Sequence, residues 1–314
     1  MPPDQLAVGT TVTLRVETPV GPIGVVGVLV GVEADTWSVR RRDGSTSILN
    51  VASITACRVV PPPRSTLASV DEVERMGALG WRGLDQCTLG EWLLRASSGF
   101  TSRGNSALAL GDPGTDLEPA IDQVEQWYTE RGLPARIQLT SRDAPAGLSD
   151  ALDRRGWTTS PTVHTMTAEL GHVLRAATAT TDLDVRVDET PDAGWISCYA
   201  RVTDALLPTA RAILTNHPAA TFASVRRDGK SVAVARAAVD DRWAGLFAVE
   251  VMPEHRGHGL GEVVSAAALR AAGQRGGRRS YLQVSTDNAA AIRLYERLGY
   301  TVHHDYLYRE MATG

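Results

Sequence analysis

The chain has 314 residues, 43% of them hydrophobic, which suffices for two or three domains with ordinary cores. The net charge of −4 gives no basis for binding nucleic acid or an anionic membrane, and no apolar stretch reaches bilayer-spanning length. Lys230 is the only lysine, so the abundant arginine reads as composition bias rather than a binding surface. Cys57, Cys87 and Cys198 are scattered and odd in number, which suits a reducing compartment and argues against a disulfide frame or a zinc site. The start, Met-Pro-Pro-Asp-Gln, lacks a basic-then-apolar signal pattern, so a cytoplasmic protein is expected.

Residues 1–60 read as short strands. Val8–Val16 alternates, Ile23–Val32 is rich in Gly and Val, and Thr36–Arg42 runs into the turn signal Asp43-Gly44 before Ser47–Val51. Strands at this spacing suggest a small barrel that resembles an SH3-like fold. Pro61-Pro62-Pro63 is a stiff linker. No charge or aromatic cluster marks a surface, so a packing or oligomer-forming role, compatible with a homodimer, is expected ahead of partner binding.

Residues 65–172 form the next segment. Glu91–Ala96 and Ser106–Leu110 read as a hairpin pair, and Asp116–Arg131 has a helical stripe of Leu117, Ile121, Val124 and Tyr128. A strand at Ala135–Thr140, a helix at Gly147–Arg155 capped by Gly156, and a strand at Thr162–Leu170 follow. The last segment, 180–314, has a strand at Leu183–Val187 and helical pieces around Trp195 to Tyr199 and Ala210 to Leu214. Ala220–Arg227 and Ser231–Val239 pair across Asp228-Gly229. Trp243–Val251 is a central strand, Gly259–Gln274 a long helix, and Val302–Tyr308 the closing strand. Leu152-Asp-Arg-Arg-Gly156-Trp157-Thr158 and Tyr295-Glu-Arg-Leu-Gly299-Tyr300-Thr301 share a helix end, a capping glycine, an aromatic and a threonine, which points to two related halves in tandem.

The chemistry concentrates in two runs. Arg256-Gly257-His258-Gly259-Leu260-Gly261 joins the central strand to the long helix. Glycines admit close backbone approach, and the unpaired amides of a helix start favour an anion, so the turn reads as a pyrophosphate cradle. No Gly-Lys-Ser/Thr follows and the G-x-G-x-x-G spacing is absent, which excludes a P-loop and argues against a Rossmann turn. The second run, Asn288-Ala-Ala-Ala-Ile-Arg-Leu-Tyr295-Glu-Arg-Leu-Gly299-Tyr300, follows the short strand Tyr281–Val284. Each residue has a structural alternative: Tyr295 as a core aromatic, Asn288 as an N-cap, Arg256 as a surface arginine.

In this order the two runs resemble motifs A and B of the GCN5-related N-acetyltransferases (GNAT), over roughly the last 130 residues. The resemblance implies an α/β fold with a mixed sheet of the GNAT type, in tandem halves preceded by the small all-β barrel, and acetyl-CoA as the acyl donor. It implies that Arg256 to Gly261 hold the pyrophosphate, that backbone near Val249 and Val251 meets the thioester, that Asn288 contacts the cofactor, and that Tyr295 protonates the leaving thiolate. A bulge or splay is expected between Val249 and Met252. For the base, Gln283 stands where relatives that modify protein N-termini carry glutamate, Gly245 where histone-modifying relatives do, and Glu250 is left to act through water. His303 and His304 are expected at the surface.

The middle half offers Gly111-Asp112-Pro113-Gly114-Thr115-Asp116 at the equivalent turn; two carboxylates and a proline oppose a phosphate, so one cofactor per chain is expected. The polar segment of that half, with Arg95, Arg103 and Asn105, is expected to meet an acceptor carboxylate. Its resemblance to fused bacterial N-acetylglutamate synthases implies a small-molecule amine, with glutamate and arginine biosynthesis as the finer reading. Another small amine, a protein N-terminus, or a non-catalytic CoA sensor are the alternatives; Tyr295 speaks against the sensor. No metal is expected.

Overall fold

The alternation of Thr-Val-Thr-Leu-Arg-Val gives a strand with one buried face: β1 (Thr11–Val16) buries Val12, Leu14 and Val16 and exposes Thr13 and Arg15. The computed structural model describes residues 10–41, 44–59, 68–141, 144–177 and 183–311. They fall into two compact units, Met1–Leu67 and Ala68–Gly314. In the first, β1 lies between β2 (Ile23–Val32) and β5 (Ile54–Val59), and β2 leads on to β3 (Thr36–Arg40) and β4 (Thr46–Asn50), all antiparallel. Leu29, Trp37, Val39 and Leu49 join the β1 residues in one core. Among the described residues β4 and β5 do not pair, so an open five-stranded sheet stands where a closed barrel was expected. The physical reason lies in β5, which is exposed along almost its whole length and has no buried face to close onto β4. Asp43 of the expected turn and the Pro61-Pro62-Pro63 linker lie outside the described residues.

The second unit begins with α1 (Val70–Gly80), β6 (Asp85–Leu89), β7 (Trp92–Ala96), β8 (Ala107–Leu108) and α2 (Leu117–Thr129). Then come β9 (Arg136–Thr140), α3 (Leu148–Arg154), β10 (Thr158–Thr159), β11 (Val163–Glu169) and α4 (Leu170–Ala176). The chain goes on through β12 (Asp184–Asp188), α5 (Ala193–Cys198), α6 (Leu207–Thr215), β13 (Ala220–Arg227), β14 (Lys230–Asp240) and β15 (Trp243–Val251). It ends with α7 (Leu260–Gln274), β16 (Arg279–Ser285), α8 (Ala289–Arg297) and β17 (Thr301–Glu310). None of the helices among the described residues is long and apolar enough to cross a membrane.

Two departures from the sequence pattern matter. The segments expected as a hairpin pair do run antiparallel, as β7 and β8, but register only at Leu93↔Leu108; the longer pairing of β7 is with β6, across a tight turn at Gly90. And α1 was not anticipated, although Ser69-Val70-Asp71-Glu72 carries a helix-start signature: the Ser69 hydroxyl accepts from the Glu72 amide at 3.0 Å.

The second sheet has the order β12-β13-β14-β15-β16-β11-β17-β9-β8-β7-β6, with β10 paired to β17. Its parallel pairs, β15–β16 and β8–β9, flank the central antiparallel pair β11–β17. Each central strand lies against the opposite segment: β11, from 65–172, pairs with β16, and β17, from 180–314, pairs with β9. The segments 65–172 and 180–314 thus share one continuous sheet and exchange their closing strands.

A buried carboxylate ties this seam together. Glu74 of α1 is 2% exposed. Its Oε1 accepts from Thr165 Oγ1 on β11 at 2.9 Å and from Gln283 Nε2 on β16 at 3.2 Å, and lies 2.8 Å from His304 Nε2 on β17. Its Oε2 accepts from Gln138 Nε2 on β9. Thr165 stands opposite both Gln283 and His304, so the partners form a row across neighbouring strands. His304 is therefore a core residue, not the surface residue expected, because its imidazole has a charged partner inside. Burial pushes the Glu74 carboxyl up, but the hydrogen bond and charge of His304, with Thr165 and Gln138, outweigh it and hold the group below the usual carboxylate value. Its contribution to stability is then present above the unfolded carboxyl pKa and is lost as pH falls through the lower folded value. Glu74→Gln should cost about 3 kcal/mol near neutral pH, by breaking a buried pair. Urea unfolding followed by Trp fluorescence should also show a weaker loss of stability below pH 4 in the variant than in wild type; parallel pH curves would remove Glu74 as a charged buried partner.

Candidate functional site

A parallel pair needs a crossover, and α7 supplies it between β15 and β16. The two strands pair from Trp243↔Arg279 to Leu246↔Leu282 and then part. Ala248 adopts a left-handed φ of 50°, and the register against β14 slips between Val234 and Arg236. This bulge turns the end of β15 away from β16. A cleft of about 800 Å³ opens there, with Val249, Glu250 and Val251 on one wall and Gln283, Val284 and Ser285 on the other. The bend falls beside the expected Val249–Met252 stretch.

The glycine-rich turn closes one end of the cleft. Gly257 and Gly259 have φ of 80° and 74°, and Gly259 is the left-handed N-cap of α7. A Cβ added to either would meet nothing within 4 Å, so the backbone conformation rather than space requires glycine. At Gly261 a Cβ would lie 3.3 Å from Leu294 Cδ2, so close packing of α7 on α8 is the reason there. Among the described residues, the amides of Gly257 through Gly261 donate to no backbone carbonyl, and they stand at the positive end of a 15-residue helix. Arg256, Gly257, Gly259, Leu260 and Gly261 line the cleft; the exposed His258 side chain does not, and only its backbone belongs to the turn. Arg256 Nε donates to the Val251 carbonyl at 3.0 Å, and its Nη2 pairs with Glu250 Oε1 at 3.1 Å. Glu250 is thereby held at the cleft wall with a counterion.

Tyr295 and Asn288 sit on the opposite helix, α8. Asn288 Oδ1 accepts from the Ala291 amide at 3.1 Å, so it caps α8, and the residue also lines the cleft. Tyr295 is 7% exposed and borders the cleft, with its ring edge-on to Tyr300 at 5.9 Å. Burial pushes its phenol well above the ordinary value, so it is a protonated donor across the physiological range.

The far wall comes partly from the middle segment: Trp81, Arg103, Tyr199, Phe247 and Tyr306 line it. Of the three polar residues expected there, only Arg103 arrives. Arg95 is 1% exposed and donates to the Ser106 carbonyl, Ser106 Oγ and Gln138 Oε1, each at 3.0 Å. Asn105 accepts from the amides of Ser97 and Gly99 and donates to the carbonyls of Phe100 and Thr101. Both are core residues that satisfy their own loop, which corrects the reading of them as substrate contacts. Gly245 cannot be replaced by a glutamate base, because its Cβ would collide with Tyr281 and Phe247. Trp81, Tyr199 and Phe247 carry no separate sequence signal for a site.

The equivalent turn in the middle segment is already occupied. Glu91 Oε2 accepts from the Asp112 amide at 2.7 Å and Asp112 Oδ1 from the Gly114 amide at 2.8 Å. Gly90 packs so closely on Pro113 that a Cβ there would overlap its backbone.

Residues 67–309 match a family described as the C-terminal part of the probable histone acetyltransferase Rv0428c. Rv0428c of Mycobacterium tuberculosis is 29% identical over 306 residues, covering 94% of this chain and 93% of that protein. The uncharacterized N-acetyltransferase YobR of Bacillus subtilis is 28% identical over 246 residues, 76% of this chain and 98% of YobR. Among solved structures, a GCN5-related N-acetyltransferase from Kribbella flavida superposes with a TM-score of 0.62 at 18% identity, over 81% of this chain and 98% of that one, which establishes a shared fold. The chain belongs to the Rv0428c C-terminal family and is a GNAT-type N-acetyltransferase.

Proposed function

We propose that the chain transfers an acetyl group from acetyl-CoA to a primary amine of a small molecule, in the cleft between β15 and β16. The observation that carries this reading is that the unpaired amides of the Gly257–Gly261 turn and the buried Tyr295 open on the same cleft. Acetyl-CoA supplies an activated thioester. The turn and Arg256 bind its pyrophosphate, and the parted end of β15, at Val249 and Val251, directs its backbone at the thioester carbonyl. A neutral amine attacks directly: the N–C bond forms, the C–S bond breaks, an amine proton leaves through water to Glu250, and Tyr295 protonates the departing thiolate. No covalent enzyme intermediate is needed. The middle segment is a related half that has lost its cofactor turn and serves the acceptor wall. Glutamate as acceptor rested on the resemblance to fused N-acetylglutamate synthases, with Arg95 and Arg103 as carboxylate partners; with Arg95 in the core, the general class of small amines is the better reading. A protein N-terminus is less well served, since Gln283 cannot act as a base. A cytoplasmic location fits an acetyl-CoA-dependent reaction.

Three outcomes follow from this assignment. Tyr295→Phe keeps the ring and its packing but removes the donor, so kcat and kcat/KM should fall together by at least about tenfold, a modest demand beside the range of about 10²–10⁴ for general acid catalysis, while acetyl-CoA affinity holds. Equal rates, with chemistry limiting, would leave solvent as the acid. At the turn, Gly259→Asn and Gly259→Asp are of equal size, and both residues tolerate a left-handed φ. Only the aspartate sets a carboxylate against the pyrophosphate, so calorimetry should find acetyl-CoA at least about tenfold weaker in Gly259→Asp than in Gly259→Asn. The same titration on wild type should give one acetyl-CoA per chain; two equivalent sites would overturn the loss of function assigned to the middle turn.

A further inference from the structure

Nine buried side-chain nitrogen or oxygen atoms among the described residues lack a hydrogen-bond partner. Two of them, Arg103 Nε and Gln283 Oε1, belong to residues that line the cleft. Buried polar groups are normally paired, so a bare donor and a bare acceptor on two residues that line one cleft point to a ligand that draws on both.

The rest of each side chain is held in place. Gln283 Nε2 donates to both oxygens of Glu74, at 3.2 and 3.3 Å. The reversed amide would set its oxygen against the buried carboxylate, so Oε1 is kept away from Glu74 and left for something else. The Arg103 guanidinium lies 5.3 Å from the centroid of Phe247 and 6.0 Å from that of Trp81. These contacts fix its plane and leave Nε–H unmet. One site is cationic and donates; the other is neutral and accepts. They suit different parts of one small molecule.

We infer that the acceptor carries an anionic group besides its amine: the anion, a carboxylate or a phosphate, meets Arg103, and an amine N–H donates to Gln283 Oε1. Glu74 is then a positioning residue that sets the Gln283 amide. The inference rests on the acetyl-transfer reading of the same cleft. Trp81, Phe247 and Tyr199 line the same cleft, and their rings suit an apolar body carrying the two polar ends.

The test uses matched acceptors at saturating acetyl-CoA: L-tyrosine against tyramine, L-phenylalanine against 2-phenylethylamine, and O-phosphoethanolamine against ethanolamine. In at least one pair the anionic member should have the higher kcat/KM, by at least about tenfold, as for a hydrogen bond to a charged group. The pair that shows the preference tells carboxylate from phosphate. Arg103→Gln should bring that ratio close to one, and Arg103→Lys should restore part of it. Gln283→Met should raise KM for the anionic amine at least about tenfold while acetyl-CoA affinity, measured by calorimetry, certifies a folded cleft. Neutral amines used as well as their anionic partners, a ratio untouched in Arg103→Gln, or no turnover of any pair by an enzyme that binds acetyl-CoA would overturn the inference alone. Failure of wild type to bind acetyl-CoA would overturn the transfer reading as well.

Discussion

The parting of β15 from β16 is the constraint on which the site depends. Two parallel strands joined by a helix must twist, and once the bulge at Ala248 removes the ladder bonds beyond Leu246 the strand ends diverge. The space between them is bounded by whatever follows each strand. After β15 comes the glycine turn and the positive end of α7; after β16 comes α8 with Tyr295. The glycine turn and Tyr295 are thus brought to one cleft by two short connections, with no need for long loops. Gly261 lets α7 lie against α8 closely enough for the two to act as one wall.

The exchange of β11 and β17 places the middle segment beside the cleft. Because β11 lies beside β16, Trp81, which follows α1, and the loop around Arg103 are carried to the cleft. Glu74 holds that arrangement with hydrogen bonds from β9, β11, β16 and β17. A buried charge of this kind adds little net stability over an apolar replacement, but a mispaired arrangement would strand it without partners. It therefore favours this one register of the seam, and through Gln283 the same carboxylate reaches the cleft wall.

The arginines show how local patterns and tertiary setting diverge. Arg95, Arg103 and Arg236 are close in chemistry and end in different roles. Arg95 fills its donors with Ser106 and Gln138. Arg236 is fully buried, donates to the carbonyls of Gly80 and Leu214, and stacks on Trp81 and Phe247 from the core side. Arg103 stacks on the same two rings and opens on the cleft. Composition cannot separate them, because the partners that decide exposure come from other strands.

Sequence alone determined what acts over a few residues. The alternation of β1, the apolar stripe of α2, the glycines of the turn and the Asn288 cap are written in neighbouring positions, since backbone conformation and helix termini respond to neighbours. The acetyltransferase reading of Arg256–Gly261 and Tyr295 was legible for that reason. Tertiary structure decided whatever needed distant partners. Glu74 lies 209 residues from Gln283 and 230 from His304, so no window of sequence joins them. The polarity of the segment from Arg95 to Asn105 looked like a binding surface, yet most of it is satisfied internally, and the exchanged strands could not be told from two separate sheets. Hydrogen-bond partners set the fate of a polar side chain, and across a shared sheet those partners exist only once the strands have been placed.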